Sequence, residues 1–198
     1  ECKEYDFGTD AHSIDYEKIY LARFKMLEKA FERGFQKIKK TAEYAEFVGQ
    51  NADWLEDYAL YMAVKDANGG ICYAEWEDDI RLRKKTALSK YRKKYKRETD
   101  FYKFQQFLFR RQWMALKTYA NEKGIEIVGD IPIYVAYDSA DTWADPKLFQ
   151  MDAKGYPTAV AGCPPDYFSE TGQLWGNPLY DWEYHKKTDY AWWMRRFE

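Results

Sequence analysis

The sequence predicts an α/β protein that is mostly helical by content, and three observations carry that expectation. A β-branched run, Ile125-Glu126-Ile127-Val128-Gly129-Asp130-Ile131-Pro132-Ile133-Tyr134-Val135, follows directly on Gly124, a residue type that ends helices. Upstream of it, three segments repeat apolar residues at helical spacing. Downstream, residues 145–182 hold prolines, glycines and aromatic rings with neither a helical nor a strand period. The run 125–135 is apolar on both faces, so it fits a parallel strand covered on two sides, although Asp130 and Pro132 suit mid-ladder positions badly. Residues 1–98 then form a helical unit ending in a basic segment, and residues 99–198 an αβ unit with strand 125–135, a long loop 145–182 and a helix 188–198.

Taken in order, residues 1–12 are polar and irregular, with a turn at Gly8. Asp15 is placed to cap a helix reaching about residue 38, whose buried stripe is Tyr16, Ile19, Met26, Leu27, Ala30, Phe31 and Ile38. A second helix follows Asn51, with Asp53, Glu56 and Asp57 at its positive end and Trp54, Leu55, Tyr58, Ala59 and Met62 inward, and stops at Asn68-Gly69-Gly70. Residues 81–97 contain ten Lys and Arg with Tyr91 and Tyr95 among them, which reads as a solvated helical face. A third helix runs from Asp100 to Lys123, its apolar face of Phe101, Phe104, Phe107, Leu108, Trp113, Leu116 and Ala120 broad enough to cover the strand. In the last helix, Tyr190, Trp193, Met194 and Phe197 fall on one face, still in phase where the sequence stops, which predicts a truncated element.

Composition narrows the partners. A formal charge of −2 and a pI near 5.9 give no electrostatic reason for nucleic acid or an anionic membrane. Cys2, Cys72 and Cys163 are odd in number and form no C-x-x-C pair, so neither a disulfide framework nor a zinc site is indicated and a reducing cytoplasm is expected. No apolar run approaches the roughly 20 residues of a membrane span. His12 and His185 are isolated and expected at the surface.

The loop is the chemically informative stretch. Long loops in compact domains are more often binding loops than idle connections. Rings beside Asp, Asn and Gln suit a sugar, whose C–H faces stack on aromatics while hydroxyls bond to amides and carboxylates. The alternative is a small aromatic core packed beneath the loop. Asp130 beside Pro132 reads as a buried hydrogen-bonding residue, and Asp138 at the strand exit is the best placed of five candidate carboxylates, the others being Asp130, Asp141, Asp145 and Asp166.

Four words stand in register: Gly-Asp-Ile-Pro-Ile-Tyr-Val-Ala (129–136), Asp-Ser-Ala-Asp-Thr-Trp-Ala (138–144), Pro-Pro-Asp-Tyr-Phe-Ser (164–169) and Gly-Gln-Leu-Trp-Gly-Asn-Pro-Leu-Tyr-Asp-Trp (172–182). In this order they resemble the 4-α-glucanotransferases called amylomaltases or disproportionating enzymes. The close match covers residues 124–198. The resemblance implies a partial (β/α)8 TIM barrel of the glucanotransferase type, with residues 1–98 as a helical insertion subdomain. A complete barrel takes about 250 residues, so only the middle of one fits here.

The resemblance also implies roles. Asp138 lies near the sugar at the cleavage point, with a loop-capping role as the alternative. Pro164 to Phe168, including Asp166, form the loop arching over the cleft, with Tyr167 and Phe168 facing acceptor sugars. Trp175 is a stacking platform and Asn177 holds the loop. Cys163 departs from the small aliphatic residue expected beside Pro164. The family's nucleophile, acid/base and third carboxylate lie on later strands, so the chain is expected to contain no catalytic residue of its own. No cofactor or metal is implied, and the partners are maltooligosaccharides or other α-1,4-glucans. Two competing readings remain: a stand-alone saccharide-binding module built on Trp175, Tyr167 and Phe168, and a glycoside hydrolase using Asp138 and Asp166.

Overall fold

The computed structural model describes residues 4–10 and 12–197, so Cys2 lies outside the described residues. Helices dominate. The capping expectation holds at α1, Tyr16–Ile38, where the Asp15 carboxylate accepts from the Lys18 N–H at 3.0 Å. Its buried face is Ala22, Phe31 and Phe35, while Tyr16 and Ala30 of the expected stripe are exposed. A helix not anticipated from periodicity, α2 (Ala42–Gln50), is capped by Thr41 and buries Tyr44 and Phe47. Nine residues with two inward rings carry too short a pattern to stand out.

Helix α3, Ala52–Ala67, is the centre of the molecule. Leu55, Ala59, Leu60 and Val64 have no accessible surface, so it is covered on both sides. On one side lies α6, Lys96–Glu122, together with α1 and α2. There Phe31 meets Phe101 and Phe104 edge to face at 5.4 and 5.5 Å, and Tyr44 and Phe47 meet Phe107 in the same way. On the other side α4 (Asp78–Arg81), α5 (Lys85–Lys94) and α7 (Ala140–Ala144) enclose a second core of Leu60, Tyr61, Val64, Tyr73, Trp76, Ile80 and Trp143.

The expected strand 125–135 is not formed. Residues 125–136 run without a backbone ladder, and Ile125, Val128 and Ile133 are 59%, 91% and 73% exposed. A parallel strand needs neighbours to accept and donate, and none lies beside it among the described residues. Nor does α6 cover it: Phe109, Leu116 and Tyr119 are exposed, and only Phe101, Phe104 and Phe107 of the predicted face are fully buried. Asp130 is likewise exposed rather than buried. Three contacts tie the segment down: the Tyr180 hydroxyl donates to Ile133 O, Asn177 Nδ2 to Val135 O, and Arg196 to Pro132 O, all at 2.7–2.8 Å.

The loop 145–182 contains a sheet that its sequence did not announce. Strands β1 (Val160–Cys163) and β2 (Gln173–Pro178) pair antiparallel, with Gly162 opposite Leu174 and Cys163 opposite Gln173. Two glycines permit it. A Cβ on Gly162 would meet Gln173 O at 2.4 Å, and Gly172 has φ +73° with Cys163 O only 2.6 Å from where its Cβ would stand.

Beyond the hairpin, the expected helix 188–198 is the shorter α9 (Ala191–Phe197), and an unanticipated helix, α8 (Trp182–Lys187), precedes it. Asp189 and Tyr190, both with φ near +50°, break them apart; Tyr184 O accepts from the Thr188 N–H and His185 O from the Tyr190 N–H, with the Thr188 hydroxyl shared between the two carbonyls. This turn rotates α9 so that Trp192 packs inward while Met194 and Phe197 stay exposed.

His12 is exposed as expected, whereas His185 is fully buried. Its Nε2 lies 3.0 Å from Leu148 O, so that nitrogen carries the proton, and Tyr180, Trp182, Trp192 and Trp193 surround the ring. Burial pushes the imidazole pKa down, against the smaller upward pull of Leu148 O, Asp181 and Asp145. Below about pH 6.5 the unfolded chain binds a proton that the folded chain refuses, so stability falls with pH by up to about 1.4 kcal/mol per unit until the folded value is passed. Thermal unfolding between pH 8 and 5.5 should show a declining midpoint, and His185→Gln should flatten that decline.

Candidate functional site

The hairpin presents its rings to solvent. At its tip the Asp166 carboxylate accepts from the N–H groups of Phe168 and Ser169, each at 2.9 Å, and the Ser169 hydroxyl donates to Gly172 O at 2.8 Å. These bonds close a tight turn, so Asp166 shapes the tip. Tyr167 and Phe168, 98% and 89% exposed, stand edge to face with centroids 5.7 Å apart. Leu174, on the neighbouring strand, is also exposed.

Trp175 is half exposed and better anchored. Its indole N–H donates to Gln173 Oε1 at 3.0 Å, and its ring lies 6.2 Å from Tyr134, which in turn stacks on buried Tyr180 at 5.9 Å. Asn177 fastens β2 to the 125–136 segment through Val135 O. The aromatic base under the hairpin is therefore Tyr134, Phe149, Tyr180 and Trp192, which with Leu148 form a third hydrophobic cluster. Tyr134 and Leu174 were not singled out by the sequence, and only their place within the 129–136 and 172–182 words would have drawn attention to them.

Asp138 takes a different place. Its carboxylate accepts from the Tyr61 hydroxyl at 2.6 Å, from the Lys65 ammonium, and from the Tyr73 N–H at 3.2 Å. Tyr61 and Lys65 stand one turn apart on α3, so Asp138 locks the start of the loop onto the central helix. Burial raises its pKa, but the bonds from Lys65, Tyr61 and Tyr73 outweigh burial and hold it below the usual carboxylate value. Burial and the Asp138 carboxylate together push the Tyr61 hydroxyl far up, keeping it a donor.

The structure thus gathers Tyr167, Phe168, Trp175 and Asn177 on one hairpin with Asp166 at its turn, and assigns Asp138 to the helix side. Asp141 accepts from the Trp192 indole N–H at 3.1 Å and Asp145 ends α7. Asp138 and Asp166, the pair a hydrolase would require, are bound to separate partners: one to α3, the other to its own turn. No group of three or more His, Cys, Asp or Glu able to hold a metal ion occurs among the described residues. Cys72 and Cys163 are free thiols. No helix among the described residues is long and apolar enough to cross a membrane.

Comparison with known proteins gives one consistent result. The family model described as 4-alpha-glucanotransferase matches residues 2–198. The 4-alpha-glucanotransferase of Streptococcus pneumoniae serotype 4 is 50% identical over 192 residues, 96% of this chain and 38% of that protein. That of Thermus thermophilus is 46% identical over 196 residues, 98% of this chain and 39% of that protein. Among solved structures, amylomaltase from Streptococcus agalactiae in complex with acarbose superposes with a TM-score of 0.91 at 40% identity, over 98% of this chain and 39% of that one. The chain therefore spans about two-fifths of the length of these relatives.

Proposed function

Because the chain belongs to the 4-alpha-glucanotransferase family, we propose that it supplies the acceptor-side surface of an enzyme that transfers α-1,4-glucan segments between maltodextrins. The single observation that carries the reading is the exposed Tyr167–Phe168 pair held out by a hydrogen-bonded turn. An edge-to-face pair with no cover has little reason to exist as core, and it offers stacking faces to glucose rings. Trp175 is the second platform, and Asp166 and Asn177 keep both in place.

Retaining transfer requires two carboxyl groups about 5 to 5.5 Å apart, one a nucleophile and one an acid. Asp138, Asp141 and Asp166 are each engaged in fixing the fold, which supports a reading in which the bond-breaking carboxylates belong to other polypeptide. In the same reading residues 125–135, unpaired in this chain, would become a strand of a (β/α)8 barrel only beside its neighbours, with residues 99–198 an incomplete barrel segment and residues 1–98 its helical insertion. The exposed Ile125, Val128 and Ile133 are what a strand between two absent neighbours would show. Three cysteines without a pairing pattern support a cytoplasmic setting, and no nucleic acid or membrane is needed as partner.

The test is a chimera in which this chain replaces the matching two-fifths of the Streptococcus pneumoniae relative. The chimera should convert maltotriose to glucose and longer maltodextrins, and the 198-residue chain alone should not. Conversion by the chain alone would show that the carboxylate pair lies within it.

A further inference from the structure

The ten cations of residues 81–97 divide in the fold. Arg81 donates to Asp78 and to Lys154 O, and Arg83 pairs with Asp57 at 2.7 Å while lying 4.3 Å over the Trp143 ring, so both are structural. The rest remain exposed, and one set is ordered. Lys85, Ser89, Arg92, Lys93 and Lys96 recur at helical spacing around a groove of about 400 Å³ floored by Leu88. From Lys85 to Lys93 this stripe rises about 12 Å.

Acids balance it only in part. No Asp or Glu occurs between Asp79 and Glu98. Arg92 reaches Asp57 at 3.2 Å and Lys96 reaches Asp100 at 3.3 Å, but Lys85 and Lys93 have no acidic partner among the described residues. The dipole of α5 favours the cations of its own last turn. It does not favour Lys96 and Arg97, which sit in the first turn of α6, the positive end of a 27-residue helix that Tyr95 leaves without a side-chain cap. Glu98 in that turn, Asp100 beside Lys96, and Glu28 and Glu32 beside Arg97 offset those two cations, which leaves Lys85 and Lys93 as the unbalanced charges of the stripe.

We propose that this groove binds a short phosphate oligoanion, with successive phosphoryl groups held by Lys85, Arg92 with Lys93, and Lys96, and with the Ser89 hydroxyl as a neutral donor. Leu88 and the lysine stems provide an apolar floor that strengthens the charge pairing above it. The inference is independent of the glucan reading, although the anion has two sources with one chemistry: a free polyphosphate or a phosphate-esterified glucan.

Calorimetric titration of the chain with inorganic tripolyphosphate, and separately with a phosphorylated maltodextrin, at one fixed ionic strength tests it. Tripolyphosphate should bind, and K85E/K93E should weaken it at least tenfold. K90E/K94E makes the same charge change on the side where those lysines lie over Tyr91 and Tyr95, and should change affinity less than threefold. Tighter binding of the maltodextrin names the glucan as source, and tighter tripolyphosphate binding names the free anion. Equal weakening by the two double variants, or no tripolyphosphate binding by a chain whose circular dichroism shows it folded, overturns the groove. A single-stranded oligonucleotide binding more tightly than either probe also overturns it, in favour of nucleic acid.

Discussion

Replacing Asp138 with Ala should lower the unfolding free energy by about 3 kcal/mol, the low end of the range for breaking a buried pair, because a third of its side chain is exposed. The loss is large because three groups lose an acceptor at once: the Tyr61 hydroxyl, the Lys65 ammonium and the Tyr73 N–H. Asp138→Asn keeps an acceptor but not the charge, and should cost about half as much. The pH dependence follows from a folded pKa held below the unfolded one. The contribution is complete above about pH 4, the unfolded value, and disappears as pH falls through the lower folded value. Urea unfolding of wild type and Asp138→Ala should therefore converge at acid pH. Two midpoints that coincide at pH 7 would show that the three bonds do not anchor the loop.

Gly162→Ala should open the hairpin while leaving the helical cores folded. The added methyl would sit 2.4 Å from Gln173 O, a backbone atom that cannot yield without losing the β1–β2 pairing. Gly172→Ala adds strain at φ +73° to a similar clash. Gly176→Ala is the control: φ is +76° but no atom lies within 4 Å, so it carries only the left-handed penalty of about 1 kcal/mol. Hydrogen exchange should register the difference. Amides of Val160–Cys163 and Gln173–Asn177 should lose at least a hundredfold protection in Gly162→Ala and much less in Gly176→Ala, while amides of α3 remain protected. Protection retained in Gly162→Ala would mean that the strands tolerate a wider spacing.

Local chemistry was legible where it is local in the chain. Asp15 and the Asn68-Gly69-Gly70 stop bounded α1 and α3 to within a residue, because caps and turn glycines act on neighbours. The four sequence words located the hairpin residues, among which Tyr167 and Phe168 stand exposed. What the sequence hid depends on distant partners. His185 looks like a surface residue until Leu148, Trp192 and Trp193 close over it. Asp138 finds Tyr61 and Lys65 more than seventy residues upstream. The β-branched run 125–135 misled for the same reason, since strand propensity describes fit to a neighbouring strand and none is beside it. The break at Asp189 and Tyr190 has no glycine to betray it.

We propose above all a grip of Tyr167 and Phe168 on acceptor-side glucose. It is tested most directly by the acceptor KM of the chimera, measured with glucose before and after Tyr167→Ala/Phe168→Ala. Both side chains are exposed, so the thermal midpoint should not move. The acceptor KM should rise about tenfold, equivalent to about 1.4 kcal/mol of lost contact. An acceptor KM unchanged by removing both rings would contradict the account.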